Sequence, residues 1–411
     1  MGEQPDVIRF AGVDWGNEEH YACVVDAEGT VLGQSRFRAT GDGLEQLTAW
    51  LTRRAGVRSE HVGVGIEITH GPVVDVLLER GFVVFALNPK QLDRFRDRFT
   101  VAGAKDDRRD ARVLADSLRT DRRAFRQLTA AAPEIVELRE WSRMAEDLTD
   151  ERRRLVNRLR AQLRRYFPQA LELTDDPGTE WFLRVLERIP TPAAARQRHH
   201  AAIGKILREH RLRKWTPQTL LATLRQTPLV VAPGTIEAAT AHVRLVRERI
   251  RLVNGQLKMC LRRLDEICDE AQAGGQRDIG ILRSFPGVGP IVLATLLAEA
   301  WRPLASRDYP VLRALCGVAP VTRRSGKRRL VLMRRACNGR LRNALYHWAE
   351  VAAQRDDVWK ARSVALKKRG HSHARTCRAL GDRLLAAAMA ALRTQTLYDP
   401  TRLRQPSALA A

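Results

Sequence analysis

The chain has 411 residues, 44% of them hydrophobic, which is enough for two or three domains with buried cores and excludes a disordered chain. No apolar run approaches the ~20 residues of a membrane helix. Residues 1–10 also lack the basic and apolar run of a signal peptide. We therefore expect a soluble, intracellular protein with no membrane partner.

The formal net charge of +24 predicts a nucleic-acid partner, because a globular chain this basic repels itself until an anion neutralises it. The alternative explanation of the charge is a GC-rich genome, whose codon usage favours arginine. The charge is uneven: residues 1–50 hold nine acids and three bases, whereas residues 309–349 hold ten bases and no acid. The six cysteines include no C-x-x-C pair, so neither structural zinc nor a disulfide framework is expected.

The first predicted elements are strands, followed by alternating helices and strands. Val7–Asp14, Tyr21–Asp26 and Thr30–Phe37 have the pattern of an antiparallel meander. The elements that follow are a helix at Leu44–Leu51, a strand at Val62–Ile68, a helix at Val73–Arg80, a strand at Phe82–Leu87, a helical stretch from Pro89 and a helix at Asp106–Leu118. This order predicts an α/β fold of the ribonuclease H-like type.

The middle of the chain has the periodicity of long helices. Apolar residues recur at three- and four-residue steps through Pro133–Tyr166 and Ile236–Ile267, which predicts an antiparallel coiled-coil arm of roughly 45 Å. The proline-containing segment between them is expected to be connecting material. A compact, mainly helical domain begins near residue 276. The predicted domains are therefore 1–130, 131–275 and 276–400.

Four acids could hold a divalent cation. Asp14 ends the first strand, Glu67 lies near the end of a buried strand, and Asp107 and Asp110 share one helical face. Carboxylates that converge in this way suit Mg²⁺, which prefers oxygen ligands and assists phosphoryl transfer. Any one of these acids could instead be an ordinary surface residue. Asp106 is an alternative to Asp107, because it is four residues from Asp110.

A glycine turn opens the C-terminal domain. Phe285-Pro-Gly287-Val-Gly289 between two helices resembles a helix–hairpin–helix motif, in which backbone amides hold a DNA phosphate. The same turn also occurs in ordinary helix pairs.

A serine lies in what we expect to be a basic loop. Ser325 precedes Gly326 and is surrounded by cations at Arg323, Arg324, Lys327, Arg328 and Arg329. Taken alone, such a serine contacts phosphate. The cluster could also stabilise the charge of a phosphoryl transition state if the serine attacked phosphorus.

These blocks together resemble the DEDD transposases of the insertion-sequence 110 family over nearly the whole chain. Lys105-Asp-Asp107-Arg-Arg-Asp110-Ala111 is similar to the family's K-T-D-x-x-D-A helix start, which makes Asp107 the third acid. Asp106 departs from that pattern, which commonly has Thr or Ser there. The other matching blocks are Gly12-Val-Asp14, Glu67, Asn157 through Pro168, and Pro286 through Gly317-Val-Ala-Pro320 and Ser325-Gly326 to Leu341-Arg342.

The resemblance implies a RuvC-like nuclease domain that binds Mg²⁺ through Asp14, Glu67, Asp107 and Asp110. It implies that Ser325 attacks the scissile phosphate and forms a phosphoserine link to DNA, assisted by the acidic site of a neighbouring subunit. It also implies a homodimer or homotetramer held partly by the coiled coil, with a structured bridge RNA that pairs with donor and target DNA. The expected location is the bacterial cytoplasm, associated with the nucleoid.

Two other functions stay open at this point. A Holliday-junction-type, metal-dependent endonuclease would use the acidic quartet alone, with Ser325 contacting phosphate only. A non-catalytic DNA- or RNA-binding protein would need none of the acids, and the complete quartet counts against it.

Overall fold

The structure, a computed structural model, describes residues 6–96, 106–326 and 328–401. Lys105 and Lys327 lie outside the described residues, as does the side chain of Arg328. The chain divides into two compact units, Met1–Ala132 and Pro133–Ala411. A separate boundary near residue 275 stays a prediction. No helix in the described ranges is both long and apolar enough to cross a membrane.

The first unit is a mixed α/β domain with a six-stranded sheet of order β3-β2-β1-β4-β5-β6, as the sequence pattern predicts in outline. Its elements are β1 (Arg9–Asp14), β2 (Glu19–Val25), β3 (Val31–Arg38), α1 (Gly41–Ala55), β4 (Val62–Ile66), α2 (Pro72–Glu79), β5 (Val83–Ala86), α3 (Pro89–Arg96), α4 (Asp107–Asp121) and β6 (Arg126–Gln127). Strands β1, β4 and β5 are parallel, while β2 and β6 run against their neighbours. The two-residue β6 is not predicted from sequence.

Alternating side chains cover the two faces of this sheet with different helices. Ala11, Val13 and Val64 pack in the core that includes the apolar residues of α1 and α2. Phe10 and Cys23 pack in the core formed with α4 on the opposite face. The period of two along each strand produces this division.

Glycines let α4 lie very close to the sheet. A Cβ atom at Gly12 of β1 would be 2.0 Å from the carbonyl oxygen of Ala111, and one at Gly65 of β4 would be 3.0 Å from that of Leu114. Any side chain at Gly12 would therefore push the helix away. Since these glycines face α4, the residues two positions further along each strand face α4 as well.

The second unit is mainly helical. Its elements are α5 (Pro133–Tyr166), α6 (Glu180–Arg188), α7 (Pro192–Gln197), α8 (His200–Glu209), α9 (Pro217–Leu224), α10 (Thr235–Ala273), α11 (Arg277–Arg283), α12 (Pro290–Ala305), α13 (Tyr309–Leu315), β7 (Val321–Ser325), β8 (Arg328–Leu332), α14 (Gly339–Arg355), α15 (Asp357–Lys368) and α16 (His373–Thr394). Helices α5 and α10 contain 34 and 39 residues.

The two long helices pack antiparallel. Glu137 near the start of α5 pairs with Arg263 near the end of α10, at 2.8 Å between Oε1 and Nε. Arg152, further along α5, donates to Asn254, which lies earlier in α10, at 2.8 Å. The antiparallel arrangement agrees with the sequence pattern, whereas coiled-coil packing stays a prediction.

Two sequence expectations for this unit are wrong. The segment between the long helices is not connecting material, because it forms α6 to α9 and contributes Phe182, Leu207 and Leu221 to a buried core with α5 and α10. Ser325 does not lie in a loop, because it is the last residue of β7 in a β7–β8 hairpin within the otherwise helical region.

We expect Gly12→Ala to destabilise the first unit by about 1–3 kcal/mol, because the added methyl group meets backbone atoms that no rotamer change can move. Thermal unfolding followed by calorimetry measures this as a lower transition midpoint. The matched control is Gly41→Ala at the start of α1, where an added Cβ meets nothing within 4 Å. Equal midpoints for the two variants would show that α4 does not depend on the Gly12 contact.

Candidate functional site

Asp14 and Glu67 lie side by side at one edge of the sheet. Asp14 is the last residue of β1, and Glu67 follows the last residue of β4. The parallel register pairs Val13 with Ile66, so the next pair along is Asp14 and Glu67. Asp14 is two residues beyond Gly12, which faces α4, so strand alternation directs Asp14 toward that helix. Glu67 follows Gly65 by the same two residues but lies in the bend just after β4. Both are half-buried.

Helix α4 brings its first turn to the same edge. A Cβ at Gly63 would contact the Leu118 side chain, and one at Gly65 would contact the backbone of Leu114. The helix therefore runs opposite to β4, and two strand residues match about one helical turn. Two strand residues beyond Gly65 and one helical turn before Leu114, the same alignment sets Glu67 opposite Asp110. Asp110 is 2% exposed. Asp107 lies one turn nearer the start of the helix and is exposed.

The four acids are oxygen donors of the kind that a hard divalent cation takes. Within residues 6–96, 106–326 and 328–401, however, no group of three or more His, Cys, Asp or Glu side chains is arranged to hold a metal ion. The backbone register thus brings the four residues toward one edge, but their side chains do not form a complete ligand set in this structure. The side chain of Asp106 accepts a hydrogen bond from the backbone amide of Arg108 and so caps the N-terminus of α4.

A buried histidine holds the turn that follows Asp14. The amide of Gly16 donates to Nδ1 of His20 at 3.3 Å. Burial lowers the pKa of His20, which keeps the ring neutral at physiological pH and Nδ1 able to accept. This contact fixes the start of the β1–β2 connection next to the acidic edge.

The two glycines of the hairpin motif have different surroundings. Gly287 adopts φ +87°, and a Cβ there would be 2.8 Å from the amide nitrogen of Ala352 in α14. Trp348 of the same helix donates from Nε1 to the carbonyl of Pro286 at 3.0 Å. Gly287 is therefore required by the turn and its packing. Gly289 has nothing within 4 Å of an added Cβ and precedes α12 without a side-chain cap.

A cavity of about 530 Å³ adjoins the start of α12, between α5 and α14 of the second unit. Two of its arginines are already paired. Arg153 contacts Asp150 at 2.6 Å, and Arg340 contacts Glu146. The amides at the start of α12 and the guanidinium group of Arg355, which also lines the cavity, are the features of this region suited to an anion.

Ser325 lies at the tip of an exposed basic hairpin. It pairs with Arg328 in the register, and Arg324 pairs with Arg329 across the two strands. The turn is tight, since Gly326 adopts φ +54°. The hydroxyl of Ser325 has no hydrogen-bond partner among the described residues. The hairpin from Val321 to Leu332 contains no acid or histidine that could accept its proton.

Comparison with known proteins identifies the family. A sequence profile of DEDD transposases of the IS110 type matches residues 11–168, and a profile of the IS116/IS110/IS902 transposase family matches residues 280–365. The chain is 32% identical to a Streptomyces coelicolor protein named "Mini-circle putative transposase for IS117", over 98% of both chains. The chain belongs to the IS110 family of transposases.

Two further relatives agree with this assignment. A Sinorhizobium fredii protein named "Putative transposase y4uE" is 53% identical over 50% of this chain and 58% of its own length. A protein of the insertion element IS116 from Streptomyces clavuligerus is 28% identical over 95% of this chain and 96% of its own. Membership in the IS110 family makes the chain a DNA transposase, an enzyme of insertion-sequence transposition. Transposases of the DEDD kind typically use a divalent metal ion.

The sequence pattern did not indicate the cations beside the acidic edge. In the register across the sheet, Arg36 lies opposite Tyr21, and Tyr21 lies opposite Asp14. Arg108 of α4 reaches the same face, where it donates to Gln34 at 2.6 Å. Only strand pairing brings these residues near Asp14. The nearest sequence sign was the alternation of arginines at positions 36 and 38 of a predicted strand.

Proposed function

We propose that this IS110-family transposase is an RNA-guided, site-specific DNA recombinase that combines a metal-binding acidic quartet with a serine nucleophile. The observation that supports the acidic quartet is the position of its four residues toward one edge of the sheet. Asp14 and Glu67 are adjacent in register, and the direction of α4 extends to Asp110 and Asp107 at the same edge.

The sheet order supports a ribonuclease H-like, RuvC-like first unit. An antiparallel β1–β2–β3 meander continues into parallel β4 and β5, and the acids lie at the carboxyl ends of β1 and β4. This is the position where open α/β sheets bind their ligands.

Asp14, Glu67, Asp107 and Asp110 would hold Mg²⁺. A bound divalent cation supplies charge that stabilises the attacking and leaving oxygens of phosphoryl transfer. The chain's own contribution is to orient the carboxylates, which it does through the β1–β4 register and the close packing of α4. Asp107 is the better third ligand, because the carboxylate of Asp106 is engaged in capping the helix.

We expect Mg²⁺ to raise the thermal midpoint of the first unit, and Asp110→Asn to remove most of that increase. At a concentration of about 100 times Kd, one bound ion stabilises the folded state by about 2.7 kcal/mol. The matched control is Asp116→Asn on the same helix, whose carboxylate pairs with Arg119 at 2.6 Å. An increase retained in Asp110→Asn and lost in Asp116→Asn would place the cation elsewhere.

Ser325 would act as the nucleophile. Its Oγ would bond to the scissile phosphorus while the bond from phosphorus to one deoxyribose oxygen breaks. The serine would lose its proton and the released oxygen would gain one, so that no water or cofactor is consumed. Arg323, Arg324, Arg328, Arg329 and Lys327 would offset the charge on phosphorus. Since the hairpin contains no base, deprotonation would depend on the acidic site, supplied by a neighbouring subunit.

We expect a covalent protein–DNA adduct when the protein, Mg²⁺, the element's RNA and labelled donor DNA are combined and run on a denaturing gel. Ser325→Ala should give no adduct, because the nucleophile is absent. Asp14→Ala should also give none, because the acidic site no longer assists. Ser306→Ala, which removes another exposed serine of the second unit, is the matched control and should retain the adduct.

The same gel tests the competing nuclease function. A metal-dependent endonuclease that uses the acids alone would cut DNA without an adduct, and Ser325→Ala would cut as well as the wild type. That result would exclude Ser325 as the nucleophile and would leave the four acids as the proposed catalytic residues.

The proposed partners are donor and target DNA and a structured bridge RNA. The net charge of +24 is consistent with a chain that carries both nucleic acids. Gly287 and Gly289 belong to the proposed DNA contact of the helix–hairpin–helix. Of the two, Gly287 would form the turn, while the amides beside Gly289 would meet a phosphate. Base pairing with RNA would choose the sites, and the protein would contact the backbone.

Self-association is part of the proposal, as a homodimer or homotetramer joined through the long helices. On α10, Leu245, Leu252 and Met259 are exposed by 62%, 63% and 45% and recur every seven residues. This row has one apolar residue in each heptad, so it would give a second helix a narrow apolar contact along α10. The seam that packs on α5 uses other residues of α10, Val246, Ile250 and Val253 among them. The exposed stripe is therefore available to a second copy of the chain.

We expect Leu252→Glu to shift the protein to a smaller assembly in sedimentation velocity, because a charge in the stripe opposes apolar packing. Val364→Glu on α15, which changes another exposed aliphatic residue, is the matched control and should leave the assembly unchanged. Unaltered sedimentation of Leu252→Glu would exclude the stripe from the interface.

A further inference from the structure

A row of side chains crosses the sheet from its open edge to the acidic site. Arg36 of β3 lies opposite Tyr21 of β2, and Tyr21 lies opposite Asp14 of β1. Neighbouring strands are about 4.8 Å apart, so Arg36 begins roughly 10 Å from Asp14 in the backbone. Strand β3 is the first strand in the sheet order, so no further strand of the described residues pairs with its outer edge.

The row lies on the face covered by α4. Cys23, two residues beyond Tyr21, is buried in the core formed with α4, so Tyr21 and its partner Arg36 face the same way. Arg108 of α4 confirms the face, because its Nε donates to Gln34 of β3 at 2.6 Å. Arg38 is two residues beyond Arg36 and therefore joins this face, opposite Glu19.

These guanidinium groups are accessible and close to the quartet. Arg36, Arg38 and Arg108 are all exposed. Arg36 pairs with Glu19 at 3.0 Å. That hydrogen bond raises the pKa of Arg36, and the charge of Asp107 contributes to the rise, so this arginine and the third acid interact. Arg38 forms no ion pair with any described residue, which leaves its charge for a ligand.

We propose that Arg36, Arg38 and Arg108 form a phosphate-binding track that leads one DNA strand across β3 and β2 to the carboxylates. The physical reason is charge. Four carboxylates repel a polyanion, so a strand approaches them only where cations offset that repulsion. Arginine suits this contact because its planar fork binds phosphate oxygens bidentately. The track rests on the proposed function, since it assumes that the acidic site acts on DNA.

The test is the affinity of the full-length protein for a short fluorescent DNA single strand, measured in EDTA at several salt concentrations. We expect the triple variant Arg36→Gln, Arg38→Gln, Arg108→Gln to bind about tenfold more weakly at low salt, with a salt slope smaller by about two. Replacing the same three arginines by lysine should restore most of the affinity, because charge rather than packing makes the contact. Binding in EDTA needs no metal, so the result is independent of whether the quartet is catalytic.

The matched control removes three exposed arginines on the α1 and α2 side of the same unit, as Arg53→Gln, Arg58→Gln, Arg80→Gln. Like Arg36, two of these arginines have acidic partners: Arg58 pairs with Glu60, and Arg80 pairs with Glu45. Full affinity in the control and a loss in the track variant support the proposal. Equal affinities in the two triple variants would overturn it, because any effect would then follow total charge. A loss confined to an RNA strand of the same sequence would also overturn it and make the face an RNA site.

Discussion

The close approach of α4 to β1 and β4 is the contact on which the candidate active site depends. Gly12 and Gly65 present no Cβ to the helix, so backbone meets backbone, and the first turn of α4 reaches the end of the sheet where Asp14 lies. That first turn carries acids at Asp107 and Asp110. The unpaired amides and dipole of a helix N-terminus favour carboxylates there. The packing that gathers the acids therefore also lowers the cost of holding them together.

In the second unit, polar contacts fix the register of the long helix pair. An apolar seam can slide by a turn with little loss, whereas specific side-chain pairs cannot. Glu137 accepts from Arg263, and this hydrogen bond lowers the pKa of Glu137. Near the middle of both helices, Arg152 contacts both Asn254 and Asp176, which connects the pair to the segment folded against it. Arg152 therefore joins the long helix pair to the chain just before α6.

Elements with a strong local pattern could be predicted from the sequence. The helix Pro133–Tyr166 has the bounds that its periodicity indicates, and β1 ends at Asp14 as expected. The prolines at positions 192 and 217 misled the interpretation of the middle segment. Each is the first residue of a helix behind a capping threonine, so it starts a helix rather than breaking one. The β7–β8 hairpin was missed because arginine-rich strands lack the β-branched pattern of a buried sheet.

The candidate site could be predicted only as far as residue types and single elements allow. Helical spacing placed Asp107 and Asp110 on one face, but their alignment with Glu67 depends on the direction of α4, which no local pattern states. The row from Arg36 to Asp14 depends on the pairing of three strands, and one residue of slip would move Arg36 to the other face. The sequence pattern therefore did not contain the alignment between elements that are far apart in the chain.

The distribution of charge explains why both units are needed for the proposed reaction. Ser325 stands among cations that can stabilise a charged phosphorus but cannot accept a proton. The acidic edge of the first unit has carboxylates for a cation and for proton removal, but no nucleophilic serine is part of it. In the proposed reaction each half is chemically incomplete, so DNA would be attacked only where the two are assembled on one phosphate. An enzyme divided in this way would be inactive on DNA that it meets before assembly, and assembly itself would become the step that permits strand cleavage.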